Sequence, residues 1–267
     1  MTNQSPKAHS PTRSVPEGSF LPVGATRGQV PGDATVGLTT DPGRPGVLFD
    51  FDGTLVDSNY LHTLAWSQAL AAAGEWAPMN AIHRLVGMGG RQLVVELLGH
   101  PSPAAESVRG DFYKRLMDQV RPYPGAGALL RALHDSGVAV VVATSAPEGE
   151  LAPLLDLLGA SDAIDAVTTA DDVGDAKPSP DVFLAAMEAG SVDPARALVV
   201  GDSVWDVRAA EAAGLGCVCV ESGGFSRHEL SEAGAVAVYR DVQQILGQLH
   251  VGPLAPIALS AAGPSTP

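Results

Sequence analysis

The chain has 267 residues, enough for one large domain or two modest ones. It is 45% hydrophobic and 17% charged, with a formal net charge of -14, which fits a globular protein and argues against nucleic acid as a partner, since that needs clustered basic residues. No run of eighteen apolar residues marks a transmembrane helix and no apolar signal-peptide core opens the chain, so the expectation is a cytoplasmic protein with no membrane partner.

Residues 1–45 carry Pro6, Pro11, Pro16, Pro22, Pro31, Pro42 and Pro45, with Gly18, Gly24 and Gly28 between them. Proline breaks every candidate helix there and no hydrophobic period is sustained, so the segment is expected to be disordered. Residues 47–51 read as a buried strand. Helical periods follow over 59–73, 79–86, 90–98 and 104–119. Pro122, Pro124 and Gly125 mark a boundary. A helix at 125–135 then leads to a fully apolar strand at 138–143, of the kind that a parallel sheet buries on both faces. Further strands are expected at 164–168, 197–200, 216–220 and 235–239, with helices at 149–158, 180–189, 204–213 and 241–249. The tail 252–267 is again proline-rich and is expected to be flexible, though its few apolar residues can pack locally. Cys217 and Cys219, two apart on one strand, project in parallel and read as small buried hydrophobes rather than a disulfide.

This alternation predicts an α/β fold: a parallel sheet covered by helices on both faces. The helical stretch 59–122 is too long for a simple crossover and reads as an inserted helical cap. The core would then be 46–58 and 123–251. Sites in such sheets lie beyond the carboxyl ends of the strands, so a cap leaving from that edge would cover the site.

Four segments carry chemistry. Asp50 and Asp52 close the first strand, and at that spacing strand side chains point the same way, crowding two carboxylates that call for a cation. The second strand ends in Thr144 and Ser145. Lys177 lies in a later loop before Pro178. Gly201-Asp202 closes another strand, with Asp206 one helical turn on. Acidic pairs, hydroxyls and a lysine suit metal-assisted chemistry at a phosphate. Asp50 is the candidate nucleophile and Asp52 the candidate acid and base. Hard carboxylate oxygens favour magnesium, and the candidate metal set is Asp50, Asp52 and Asp202, with a backbone carbonyl joining the Asp50 and Asp202 carboxylates. Thr144, Ser145 and Lys177 are the candidate phosphate contacts. Asp206 can order the metal shell or Lys177, or serve only as an acid in a helix's first turn.

Asp50-Phe51-Asp52-Gly53-Thr54, Thr144, Lys177-Pro178 and Gly201-Asp202 with Asp206 resemble the four ordered motifs of the haloacid dehalogenase superfamily, over about residues 46–250. The resemblance implies a Rossmann-like core, a helical cap after the first motif, magnesium and an aspartate nucleophile. The presence of Asp52 favours phosphoryl transfer over carbon–halide cleavage. A phosphonate-cleaving relative would need a lysine in the cap, and Lys114, the cap's lysine, is far from its substrate-facing start. Asp57 to Trp66 resembles a pattern of beta-phosphoglucomutase and sugar phosphatases, which sets His62 toward substrate; Arg91, after Gly87-Met88-Gly89-Gly90, is placed to meet an anionic group. Gly201 stands where the mutase is expected to carry a glutamate. The reading is a magnesium-dependent phosphatase of a small phosphorylated metabolite, as monomer or homodimer. A phosphosugar mutase and a non-catalytic phosphate-binding module are the alternatives. Asp57, Asp171 and Asp172 read as structural, and Trp66 and Trp205 as packing residues, Trp66 between cap and core.

Overall fold

A computed structural model describes residues 43–261. Eight strands, β1 (Arg44–Phe49), β2 (Val56–Asp57), β3 (Arg121–Pro122), β4 (Ala139–Ala143), β5 (Ala166–Thr168), β6 (Val192–Gly201), β7 (Gly216–Val220) and β8 (Ala237–Tyr239), alternate with helices. The helices are α1 (Asn59–Ala72), α2 (Met79–Leu85), α3 (Gly90–Leu98), α4 (Pro103–Lys114), α5 (Ala126–Asp135), α6 (Glu148–Leu155), α7 (Asp181–Ala189), α8 (Val204–Ala212), α9 (Arg227–Ala233), α10 (Val242–Gly247) and α11 (Ala255–Ala261).

Six strands form one parallel sheet in the order β5-β4-β1-β6-β7-β8. Phe49 pairs with Val142 on one side and Val200 on the other, so β1 is central and its tip lies between the tips of β4 and β6. The strands are β-branched and apolar, and they alternate between two cores, as period two requires. Val47, Phe49, Val140, Val142 and Val200 face one cluster with Leu129, Leu130, Leu133 and Ile245. Leu48, Val141, Val199, Cys217 and Cys219 face the other with Phe183 and Val207. Both cysteines are free and buried, as their spacing predicts.

Helices α1–α4 stand apart from the sheet and share a cluster of Trp66, Ala69, Leu70, Ile82, Leu93, Val94 and Ala105. Trp66 therefore packs inside the cap rather than between cap and core. The neck is β2 paired antiparallel with β3, a two-residue ribbon too short to read from period. Tyr123 at the neck donates to Asp57 Oδ1 at 3.4 Å, which gives Asp57 its structural place.

Several boundaries move. β1 begins at Arg44, so the core opens before the expected residue 46, and it ends at Phe49 rather than Phe51. Residues 1–42, where the remainder of the expected disordered extension falls, lie outside the described residues. β5 loses 164 and 165 because the Asp165 carboxylate accepts from the Val140 backbone N–H at 2.8 Å and pairs with Arg44 at 2.6 Å. The expected flexible tail begins instead with α11: Leu254, Ile257 and Ala258 are buried in the first core cluster, and only 262–267 lie outside the description. α9 was not expected, although Ser226 and Glu229 form a capping box that its sequence spells out.

Candidate active site

The carboxyl ends of β1, β4 and β6 border a cavity of about 430 Å³ roofed by the cap. Asp50, Asp52, Thr144, Ser145 and Asp202 line it from the core, and His62, Arg91 and Arg109 from the cap.

Lys177 is 0% exposed and sits beneath the floor. Its Nζ donates to Asp50 Oδ1 at 2.5 Å and to the Ala143 carbonyl at 3.3 Å, and pairs with Asp206 Oδ1 at 2.8 Å. A cation wholly removed from water persists only with such partners. Burial alone would lower its pKa, but Asp206 and Asp50 outweigh burial and raise it. Asp206 is held in turn by α8: it is the third residue of that helix, and Ser203, the cap, donates its backbone N–H at 3.1 Å and its hydroxyl at 2.6 Å to Asp206 Oδ2. Asp206 is thus at once a helix-terminal acid and the ion-pair partner of Lys177.

Asp202 Oδ1 accepts from Thr54 Oγ1 at 3.1 Å and Oδ2 from Asn59 Nδ2 at 2.8 Å. Gly53, at φ +78, permits this approach, since a Cβ there would meet Asn59 Nδ2 at 2.3 Å and Asp202 Oδ2 at 2.5 Å.

Asp50, Asp202 and Asp206 bring carboxylate oxygens within 4.8 Å of one another. Asp50 is raised to about 7, chiefly by burial, against which Lys177 works, with Asp206 and Asp52 adding repulsion. Asp202 is raised by burial first, then by Asp206 and Asp50. Crowded, buried carboxylates that resist ionisation suit a hard divalent cation, so the donor set fits magnesium.

The Asp52 side chain stands apart from the other three carboxylates. β1 ends at Phe49, so the period-two argument does not reach Asp50 and Asp52, and their side chains take different partners. Asp52 Oδ1 accepts from Ser58 Oγ at 2.5 Å and His62 Nε2 at 2.9 Å, and its side chain is absent from the acidic cluster. Burial would raise its pKa, but His62, Ser58 and Arg109 outweigh that and lower it. The third carboxylate within 4.8 Å of Asp50 and Asp202 is that of Asp206.

Thr144 Oγ1 accepts from the Ala146 backbone N–H at 3.0 Å, which leaves its hydroxyl proton free to donate. Ser145 Oγ is buried on the cavity wall without a partner. His62 is buried on α1, stacked on Tyr113 with ring centroids 3.9 Å apart. Arg91 is exposed at the cavity rim. Asp172 accepts from the backbone N–H of the capping residue Thr169, and Asp171 accepts from the Glu148 backbone N–H, so both have structural partners. Trp205 Nε1 donates to the Arg84 carbonyl at 3.1 Å, a core-to-cap contact.

Sequence reasoning missed Asn59, Arg109 and Glu150. Asn59 and Ser58 sit inside the segment Asp57 to Trp66, and their closeness to the first motif was a usable signal. No spacing links Arg109 or Glu150 to Asp52; only the folded chain brings them near. Among the described residues no helix is long and apolar enough to cross a membrane.

Residues 45–214 match the family model of haloacid dehalogenase-like hydrolases. A phosphoglycolate phosphatase of Rhodospirillum rubrum is 37% identical over 210 residues, covering 73% of this chain and 86% of that protein. An N-acetylmuramic acid 6-phosphate phosphatase of Pseudomonas aeruginosa is 31% identical over 185 residues, covering 66% of this chain and 81% of that protein. A solved hydrolase from Pseudomonas syringae superposes with a TM-score of 0.72 at 33% identity, covering 77% of this chain and 98% of that one.

Proposed function

The chain belongs to the haloacid dehalogenase-like hydrolases, and from that premise we propose that it is a magnesium-dependent phosphatase of a small phosphorylated acid, working through phospho-Asp50. The observation that carries the reading is the floor of the cavity. Lys177 bonds one oxygen of Asp50, and the Asp202 and Asp206 carboxylates lie beside it. A carboxylate held this way is fixed for attack on phosphorus.

Asp50, Asp202 and Asp206 would hold magnesium, or position its shell in the case of Asp206, whose oxygens already serve Lys177 and Ser203. The ion, when bound, offsets charge between carboxylate and phosphate. Thr144 and Ser145 donate to phosphate oxygens, and Lys177 holds Asp50 in register. Asp52, with Oδ1 engaged by Ser58 and His62, presents Oδ2 to pass a proton to the leaving oxygen and later to take one from water.

Glycolate and muramic acid are both carboxylic acids, so the substrates named for two relatives pair a phosphate ester with a carboxylate. Arg91 at the rim is the candidate contact for that second anion. The reading retains a small-molecule substrate, no nucleic acid or membrane partner, a cytoplasmic location, and a monomer or homodimer.

A mutase fits less well. A Cβ on Gly201 would meet Asp206 at 2.5 Å, so a glutamate there displaces the partner of Lys177. The test is phosphate release, with and without magnesium, from 2-phosphoglycolate, N-acetylmuramic acid 6-phosphate, phosphorylated sugars and nucleotides. Magnesium-dependent release is expected for the first two. Conversion of beta-glucose 1-phosphate to an isomer without free phosphate would overturn the reading.

A further inference from the structure

We propose that Glu150 and Arg109 are positioning residues that make proton transfer by Asp52 conditional on a closed cap. The proposal rests on the phosphatase reading above. Four side chains form a circuit from core to cap and back. His62 Nε2–H, on α1 of the cap, donates to Asp52 Oδ1 at 2.9 Å. Arg109, on α4 of the cap, donates through Nη2 to His62 Nδ1. The same guanidinium donates through Nη1 to both oxygens of Glu150, on α6 of the core, at 2.6 and 2.7 Å. The Arg109 and Glu150 side chains are 15% and 7% exposed, so this is a desolvated pair rather than a solvated surface one.

A guanidinium has donors only, so His62 Nδ1 must accept and the ring's proton must sit on Nε2, aimed at Asp52. Tyr113 stacks on the same ring and fixes its plane. Ser58 and His62 both converge on Oδ1, which leaves Oδ2 for the travelling proton. His62 and Arg109 ride together on the cap. When it lifts, Asp52 loses His62 as Glu150 loses Arg109, so a charge-assisted pair made only in the closed state is given up together with the bond that aligns Asp52. The pair therefore favours the closed state in which Asp52 is aligned.

The steps balance. In the first, an Asp50 oxygen forms a bond to phosphorus as the ester P–O bond breaks. The Asp52 Oδ2 proton moves to the leaving oxygen, and its electron pair remains on the carboxylate, which His62 and Ser58 stabilise. In the second, water oxygen bonds to phosphorus, its proton passes to Oδ2, and the bond to Asp50 breaks.

The experiment compares two esters of similar shape on the magnesium-loaded full chain. p-Nitrophenyl phosphate has a leaving group that departs without a proton, and phenyl phosphate has a more basic one. In Glu150→Gln, kcat/KM for phenyl phosphate should fall about 10- to 100-fold while that for p-nitrophenyl phosphate stays within about twofold. For p-nitrophenyl phosphate kcat and KM should fall together, because phosphorylation proceeds and hydrolysis of phospho-Asp50 slows. Glu150→Asp should recover part of the loss. Equal losses of kcat/KM on both esters, or no loss on either, would overturn the proposal. A loss seen with 2-phosphoglycolate but not with phenyl phosphate also overturns it, since that marks contact with a substrate tail. If Glu150→Gln does not fold, Arg109→Lys, which keeps the charge and breaks the fork, undergoes the same comparison. A wild-type chain inert toward both esters with magnesium sinks the phosphatase reading itself.

Discussion

The floor of the cavity and its roof are built on different terms. On the floor, Lys177, Asp50, Asp202 and Asp206 are almost wholly buried and each meets a partner from a distant segment of the chain. On the roof, Arg91 is exposed and Glu106 Oε1 is buried without a partner. A floor whose charged groups are paired before substrate arrives is preorganised for one reaction. A roof with unspent polar groups is where the substrate's remaining atoms find their contacts. If the exposed part of the roof selects substrate while the floor and its His62–Arg109 support carry the chemistry, variants at Arg91 and on the floor should fail in different ways.

The sharpest break comes at the nucleophile. Asp50→Asn removes the attacking carboxylate, and phosphate release should drop by at least about 10⁴-fold on every ester. Residual turnover near wild type would remove Asp50 from that role. Lys177→Met tests the floor as structure. It leaves Asp50 and Asp206 buried without their shared cation, and the folded state should lose about 3–5 kcal/mol in denaturant titration together with most activity. A stable, inactive variant would mean that the other floor contacts hold the carboxylates without it.

The same division governs what the sequence disclosed. Motif residues at strand tips were legible because a parallel sheet brings those tips together whatever the loops do. Asp50, Thr144, Lys177 and Asp202 fell where their order predicts. Asp52 lines the expected cavity, but the strand ends before Asp50 and the Asp52 side chain turns away to Ser58 and His62, which period two does not foretell. Glu150 was invisible: it sits on α6, 41 residues from Arg109, and only closure of the cap pairs them. α11 was hidden by composition, because Pro253 and Pro256 argue against a helix while Leu254 and Ile257 bury against the sheet. Tertiary burial overrode the local signal.

On the roof, Arg91→Ala should raise KM for 2-phosphoglycolate about 10- to 100-fold, the worth of a charge-assisted hydrogen bond, and leave kcat near its original value. p-Nitrophenyl phosphate, with no second anion, should be unaffected. A matching loss on p-nitrophenyl phosphate would move Arg91 from selection to chemistry and erase the contrast.

The smallest effect is thermal, and it tests whether the floor is a cation site. Asp50 is raised to about 7 in the folded chain, and Asp202 moves in the same direction. Between about pH 4 and 7 the folded state keeps a proton on Asp50 that the unfolded chain releases. Stability from this group therefore falls as pH rises through that window and is level above it. Carboxylates with lowered values, Asp52 among them, act below that window. His83 acts inside it with the opposite sign: burial lowers its pKa, so folding gains as it deprotonates. Measuring the melting temperature with and without magnesium at each pH cancels the His83 contribution. At pH 5 the ion must displace a proton from Asp50; at pH 8 it meets Asp50 already ionised. The magnesium-induced rise should be about 2–4 °C larger at pH 8 than at pH 5, and Asp202→Asn should flatten the difference. An equal rise at both pH values would mean that these carboxylates do not hold the ion.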